Sequence, residues 1–209
     1  MSTLQGSIFD TASEPRLRPL AGSVRRLPLG RGAWIDLLPG WVERADLLFE
    51  ELVGNVVWRC EERVMYDRTV QVPRLLASIG EDLPAPHPIV DEARSTLAHH
   101  YRGTPGADLA TTGFCLYRDG SDSVAWHGDT VGRGATEDTL VAIVSLGWHR
   151  RLALRPRHGG GRSLGFDVGG GDLLVMGGSC QRTWEHAVPK TTRPVGPRMS
   201  VQFRPVGVS

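Results

Sequence analysis

The stretch Trp126-His127-Gly128-Asp129 sets an imidazole and a carboxylate two residues apart. On extended backbone, side chains alternate with period two, so both project from one face. His186, in Thr183-Trp184-Glu185-His186, is the ligand that a later strand would add. Two imidazoles and one carboxylate on one face of an octahedral ion leave its other positions open, the arrangement of non-haem iron(II) oxygenases. The spacing alone is common. Seven His and thirteen Asp in 209 residues give about 0.4 His-x-Asp pairs by chance. A surface turn containing a histidine is the competing explanation, and the surrounding sequence has to decide between them.

A second constellation follows His186 in the chain. In Arg198-Met199-Ser200-Val201-Gln202-Phe203-Arg204 polar and apolar residues alternate strictly, so both arginines share a face with Ser200 and Gln202. At ~3.3 Å per residue their Cα atoms lie ~20 Å apart. Two guanidinium groups reaching toward each other leave room for a small dicarboxylate, the planar anion that arginine binds best.

The elements that must carry these residues are legible in outline. Residues 1–32 look like a basic, irregular N-terminal arm, punctuated by Pro15, Pro19, Pro28, Gly30 and Gly32. Residues 33–209 form the expected main domain. A helix is expected after Pro39-Gly40, with Trp41, Ala45, Leu48 and Leu52 at helical spacing and Gly54 at its end. A second is expected from Pro88, burying Ile89, Ala93, Leu97 and Tyr101 and ending at Gly103. From residue 111 the texture changes to about eight short strands and glycine turns. The continuous apolar run Leu140–Leu146 reads as a strand buried on both faces. Helices first and strands afterwards, with the ligands on strands, predict an α+β fold: a double-stranded β-helix (jelly-roll) core with N-terminal helices packed on one sheet.

Composition narrows the class further. Cys60, Cys115 and Cys180 are too few and too scattered for a disulfide framework. There is neither a signal-peptide pattern nor a membrane-length apolar run, so a cytoplasmic protein without membrane attachment is expected. Net charge is only +1, yet five arginines lie within residues 16–31 and five more within 148–162, both stretches free of acids. Such patches can hold phosphates.

Taken together, Tyr117-Arg118-Asp119-Gly120-Ser121-Asp122-Ser123, Trp126 to Asp129, Gly171 to Gly178, Gln181 to Lys190 and Pro197 to Arg204 resemble the AlkB family of iron(II)/2-oxoglutarate dioxygenases. The resemblance covers roughly residues 30–206 and favours the branch that dealkylates nucleic-acid bases. It implies that His127, Asp129 and His186 are the catalytic iron ligands. It also implies that Arg198 grips the far carboxylate of 2-oxoglutarate, with Arg204 nearer the iron and Tyr117, Cys115 and Ser200 completing the cosubstrate contacts. O₂ is the third reactant, and succinate, CO₂ and an aldehyde are the products. The implied partner is alkylated nucleic acid, DNA before RNA, acted on by a monomer.

Two departures from the family pattern stand out. The family usually has Asn at the position of Cys115, so Cys115→Asn is expected to tighten cosubstrate binding. Val72-Pro73-Arg74 matches the entry to the substrate-facing lid, but Ser78-Ile79-Gly80 stands where two aromatic residues and a glycine are usual. Met65, Tyr66, Arg74, Ile79 and Arg133 are the expected substrate contacts. Two other classes stay open: a dioxygenase of this fold hydroxylating a metabolite or protein side chain, and a non-catalytic jelly-roll binding module stapled by its metal.

Overall fold

The computed structural model describes residues 14–65, 68–79 and 83–208, with the side chains of 63–65 and 68–71 outside the described set. The elements in chain order are β1 (Arg16–Leu17), β2 (Arg25–Gly30), β3 (Ala33–Leu38), β4 (Val42–Glu43), α1 (Ala45–Asn55), β5 (Arg59–Met65), β6 (Arg68–Ile79) and α2 (Pro88–His100). There follow β7 (Leu109–Tyr117), β8 (Val124–His127), a 3-10 turn (Arg133–Ala135), β9 (Val141–Gly147), β10 (Arg150–Pro156) and β11 (Leu164–Val168). The chain closes with β12 (Asp172–Gly177), a short α3 (Cys180–Thr183), β13 (Trp184–Val188) and β14 (Arg198–Pro205).

Two antiparallel sheets form the body. The larger has the order β2-β3-β12-β9-β14-β7-β6-β5 and the smaller β11-β10-β13-β8. One apolar cluster fills the space between them, joining Ile35, Val141, Ile143, Leu174 and Met176 of the large sheet to Leu152, Leu154, Val168 and Val188 of the small one. A second cluster joins the opposite face of the large sheet (Phe114, Leu116, Val144, Leu146, Val201, Phe203) to Leu48 and Leu52 of α1 and to Ile89, Ala93 and Leu97 of α2. Strand β9 feeds both clusters with alternate residues. That is why its sequence is apolar without a break. The molecule is thus mostly β-sheet with few helices, in the jelly-roll arrangement.

Three expectations change. Residues 25–30 are not an irregular arm: β2 pairs with β3 as the outermost strand of the large sheet. Pro28 and Gly30 concealed it, and proline is tolerated on an edge strand whose N–H side needs no partner. Helix α1 begins at Ala45, after Trp41 has been buried from an extended segment by its Nε1–H bond to the Arg18 carbonyl (2.8 Å). Val72-Pro73-Arg74 lies within the long strand β6, at a skip in the β5–β6 pairing between Gln71 and Leu75, an irregularity that accommodates proline.

Candidate active site

Antiparallel pairing of β8 with β13 sets His127 directly opposite His186, with ring centroids 4.2 Å apart. Asp129 follows just beyond the end of β8. One ligand atom from each of the three lies within 4.8 Å of the others, a group able to hold a metal ion. His127 Nδ1 is 2.8 Å from the Ala125 carbonyl, which assigns the proton to Nδ1 and leaves Nε2 facing Asp129 Oδ1 at 3.8 Å. Gly128, between the two ligands, is sterically required. A Cβ there would collide with the Gln181 carbonyl and with Arg157.

The charges suit a cation. Burial, with His127 adding to it and Asp129 opposing, pushes His186 down to about 3, so it is a neutral imidazole with a free lone pair at neutral pH. Burial opposes ionisation of Asp129, but Arg204, His186 and His127 outweigh it and hold the carboxyl below its usual range. Arg204 Nε donates to Asp129 Oδ2 at 2.7 Å, and the Asp129 backbone N–H donates to Gln181 Oε1 at 2.9 Å. The first orients the carboxylate with Oδ1 toward the histidines, and the second anchors the Asp129 backbone.

Strand β14 continues the site. Its inward residues face β7 on one side and β9 on the other: Arg198 lies opposite Tyr117, Ser200 opposite Cys115 and Ser145, and Gln202 opposite Gly113. Arg198 is 1% exposed. Its Nη2 donates to Ser145 Oγ at 2.7 Å, and its guanidinium carbon sits 5.3 Å from the centre of the Tyr117 ring. Nε and Nη1 are buried without a hydrogen-bond partner among the described residues. A guanidinium held this way is costly unless an anion joins it. Each of these two nitrogens can form a carboxylate fork with the second N–H of Nη2, and 2-oxoglutarate would supply that carboxylate. Burial also raises Tyr117 to about 12, so it stays a neutral phenol.

The residues expected at the metal and along the arginine face are therefore together, including Tyr117, Cys115 and Ser200. Cys115 is buried and its Sγ lies 3.3 Å from Gln202 Nε2. The expected substrate residues do not converge in the same way. Tyr66 lies outside the described residues, and Met65 is described only as backbone at the β5–β6 end. Arg74 donates through Nη1 to the Ser123 carbonyl at 3.2 Å, while its buried Nε has no partner among the described residues. Ile79 packs on the helix-side cluster because it shares strand parity with Leu75 and Ala77, whereas Leu76 faces the barrel. Arg133 is held by Asp108 and Glu137, each at 3.1 Å, so its charge is already matched.

Part of each basic stretch is likewise engaged within the fold. Arg18 caps the Pro39 and Gly40 carbonyls, and Arg26 forks onto Asp36 (2.7 and 2.8 Å) beneath Trp34. Arg150 is buried and ties together the carbonyls of Asp119, Asp122 and Pro189, while Arg155 pairs with Glu185 over Trp126. Three site residues went unassigned in the sequence: Gln181, Gln202 and Ser145. Gln202 shared the arginine face, and Ser145 is the lone hydroxyl inside an apolar run, which was the available signal.

A jelly roll with this triad and a buried arginine cradle defines a class, and comparison with known proteins names it. A profile described as the 2OG-Fe(II) oxygenase superfamily matches residues 83–204, and the chain belongs to that family. Iron(II), 2-oxoglutarate and O₂ are the reactants this implies. Within the family the chain groups with the AlkB homologues. It is 31% identical to the human alpha-ketoglutarate-dependent dioxygenase alkB homolog 3, over 93% of this chain and 74% of that protein. It is 30% identical over 127 residues to the DNA oxidative demethylase ALKBH2 of Arabidopsis thaliana, spanning 50% of this chain and 40% of that one. The solved structure of OsALKBH1 shares the fold, with a TM-score of 0.56 at 14% identity, covering 87% of this chain and all of that one.

Proposed function

We propose that this chain oxidatively dealkylates N-alkylated bases in nucleic acid, DNA in preference to RNA, releasing an aldehyde, succinate and CO₂. It does so as a cytoplasmic monomer built as a jelly roll with its helices on the outer face of the large sheet. The observation that carries this proposal is the joining of a His127–Asp129–His186 triad to a buried Arg198 with two unsatisfied N–H groups. The kinship with AlkB homologues, one of them named a DNA oxidative demethylase, supports the substrate class. No helix among the described residues is long and apolar enough to cross a membrane.

The side chains divide the work. His127 and His186 offer nitrogen lone pairs, and Asp129 offers an oxygen that Arg204 orients while Gln181 anchors its backbone. Arg198 takes the far carboxylate of the cosubstrate, with Tyr117 closing over it. The desolvation of that guanidinium is already complete in the folded protein, so binding recovers hydrogen bonds without a fresh dehydration cost. When bound, iron(II) with 2-oxoglutarate and O₂ supplies the oxidation of an N-alkyl carbon that no side chain can perform. A base within a duplex must leave the stack to reach such a centre, while single strands present it more readily.

The test is succinate and formaldehyde release with iron(II), 2-oxoglutarate and oligonucleotides carrying N-methyl adenine or cytosine. Both products should rise together, and only with the methylated strands. Formaldehyde absent with methylated DNA and RNA, alongside brisk oxidation of a metabolite or a peptide, would overturn the substrate assignment.

A further inference from the structure

The position where an amide is usual holds Cys115, a thiol that donates weakly. An amide is nevertheless present on the same inner surface, on the neighbouring strand. Gln202 Nε2 donates to Ser200 Oγ at 2.9 Å and lies 3.3 Å from Cys115 Sγ. Its direct partner across β7–β14 is Gly113, which offers no side chain against it. A Cβ on Gly113 would stand 3.2 Å from Arg204 Nη1, a tight approach, and 3.5 Å from Gln202 Oε1, an ordinary contact.

The direction of the bond to Ser200 has a consequence. A hydroxyl that accepts from an amide N–H must send its own proton to a different acceptor. The same pattern recurs at Ser145, which accepts from Arg198 Nη2 at 2.7 Å and lies opposite Ser200 in the β9–β14 pairing. These two hydroxyls, opposite one another and each already accepting from a nitrogen donor, keep their own protons for another acceptor.

We propose that Gln202 is a positioning residue for the cosubstrate: by donating to Ser200 it turns the Ser200 hydroxyl into a fixed donor for 2-oxoglutarate, replacing the amide absent at Cys115. This deepens the function proposed above and rests on 2-oxoglutarate being the cosubstrate. Gly113, Cys115, Ser200 and Gln202 then form one unit. Asparagine at 115 would crowd the Gln202 amide, so the cosubstrate-tightening effect expected of Cys115→Asn from the sequence gives way to little or no gain.

The experiment is calorimetric titration of 2-oxoglutarate into the Mn(II)-loaded protein without turnover, with Mn(II) affinity and melting temperature recorded for each variant. Gln202→Leu should weaken 2-oxoglutarate about tenfold, the scale of one hydrogen bond to a charged group, and leave Mn(II) affinity unchanged. Ser200→Ala should cost about the same, and the double variant no more than either single change, because both remove one interaction. Gln202→Glu keeps the shape but accepts from Ser200, drawing its proton away, and should bind at least as poorly as Gln202→Leu. A folded Gln202→Leu or Gln202→Glu protein within twofold of the parent overturns the proposal. So do losses that multiply independently in the double variant. A parent protein that binds Mn(II) but not 2-oxoglutarate overturns the cosubstrate assignment itself, and this inference with it.

Discussion

Among single residues, the two halves of the triad motif differ in what their removal does to the molecule. His127 is 37% exposed at its side chain and bonds only to its own strand backbone, whereas Asp129 is 3% exposed and is the carboxylate partner of Arg204. His127→Ala and Asp129→Ala are both expected to abolish succinate formation, because each takes away a metal ligand. Their stabilities should part company. His127→Ala should melt near the parent, while Asp129→Ala leaves a largely buried guanidinium unpaired, a loss of about 2–4 kcal/mol. For a chain of this size that is a fall on the order of 5–10 °C. Retention of more than about a tenth of parental turnover in either variant, a loss no larger than that of an outer contact, would remove that residue from the metal site. Equal melting temperatures would show that Arg204 finds another partner.

For the elements, what held the sequence reading together was periodicity, and what defeated it was pairing. Strand β14 and the start of α2 at Pro88 are where alternation and the helix-start proline put them. The triad was legible because His127 and Asp129 stand two residues apart at the end of one short strand and His186 falls on a later one. The exact opposition of His127 and His186 was not, since register between β8 and β13 is fixed by residues far apart in the chain. Strand parity turns Ile79 to the helix-side cluster, and Arg133 is engaged by two acids, Asp108 and Glu137, of which one is 25 residues away. The β7–β8 connection carries a testable electrostatic consequence. Arg118 grips Asp122 through its backbone N–H and its guanidinium (2.8, 2.8 and 2.9 Å), holding that buried carboxyl below its usual range although burial alone would raise it. A depressed folded-state pKa contributes stability above the ordinary carboxylate value and loses it as pH falls through the folded-state value. Asp129 acts with the same sign. Melting temperature should therefore drop as pH is lowered from about 5 toward about 3. Asp122→Asn should start lower at neutral pH by about 1–3 kcal/mol and show a shallower decline. An identical acid profile for parent and variant would mean that the loop is held without Asp122.

For the whole molecule, the distribution of charge decides how nucleic acid is held. Ten arginines in two acid-free stretches invite the view that the protein is a phosphate clamp, yet the fold turns most of them inward or pairs them. Arg16 faces Glu43, Arg26 is bidentate to Asp36, Arg155 is matched by Glu185, and Arg18, Arg150 and Arg157 are engaged by backbone carbonyls. Of the ten, Arg25, Arg31, Arg151 and Arg162 stay exposed, so with a net charge of +1 only a modest set of cations is left to displace counterions. Each neutralised phosphate steepens the fall of log K with log salt by about 0.7 on single strands. Two to four phosphate contacts would give a slope of about −1.5 to −3. Binding of a methylated single-stranded oligonucleotide, measured by fluorescence anisotropy from low to physiological salt, should show that modest slope, with affinity carried mainly by capture of the alkylated base. An unmethylated strand of the same sequence should then bind distinctly more weakly, since little of the affinity comes from the backbone. A slope near −6 or steeper, with equal affinity for both strands, would mean that the arginine stretches leave their internal partners and grip phosphates, and the division of labour drawn from the fold would have to be abandoned.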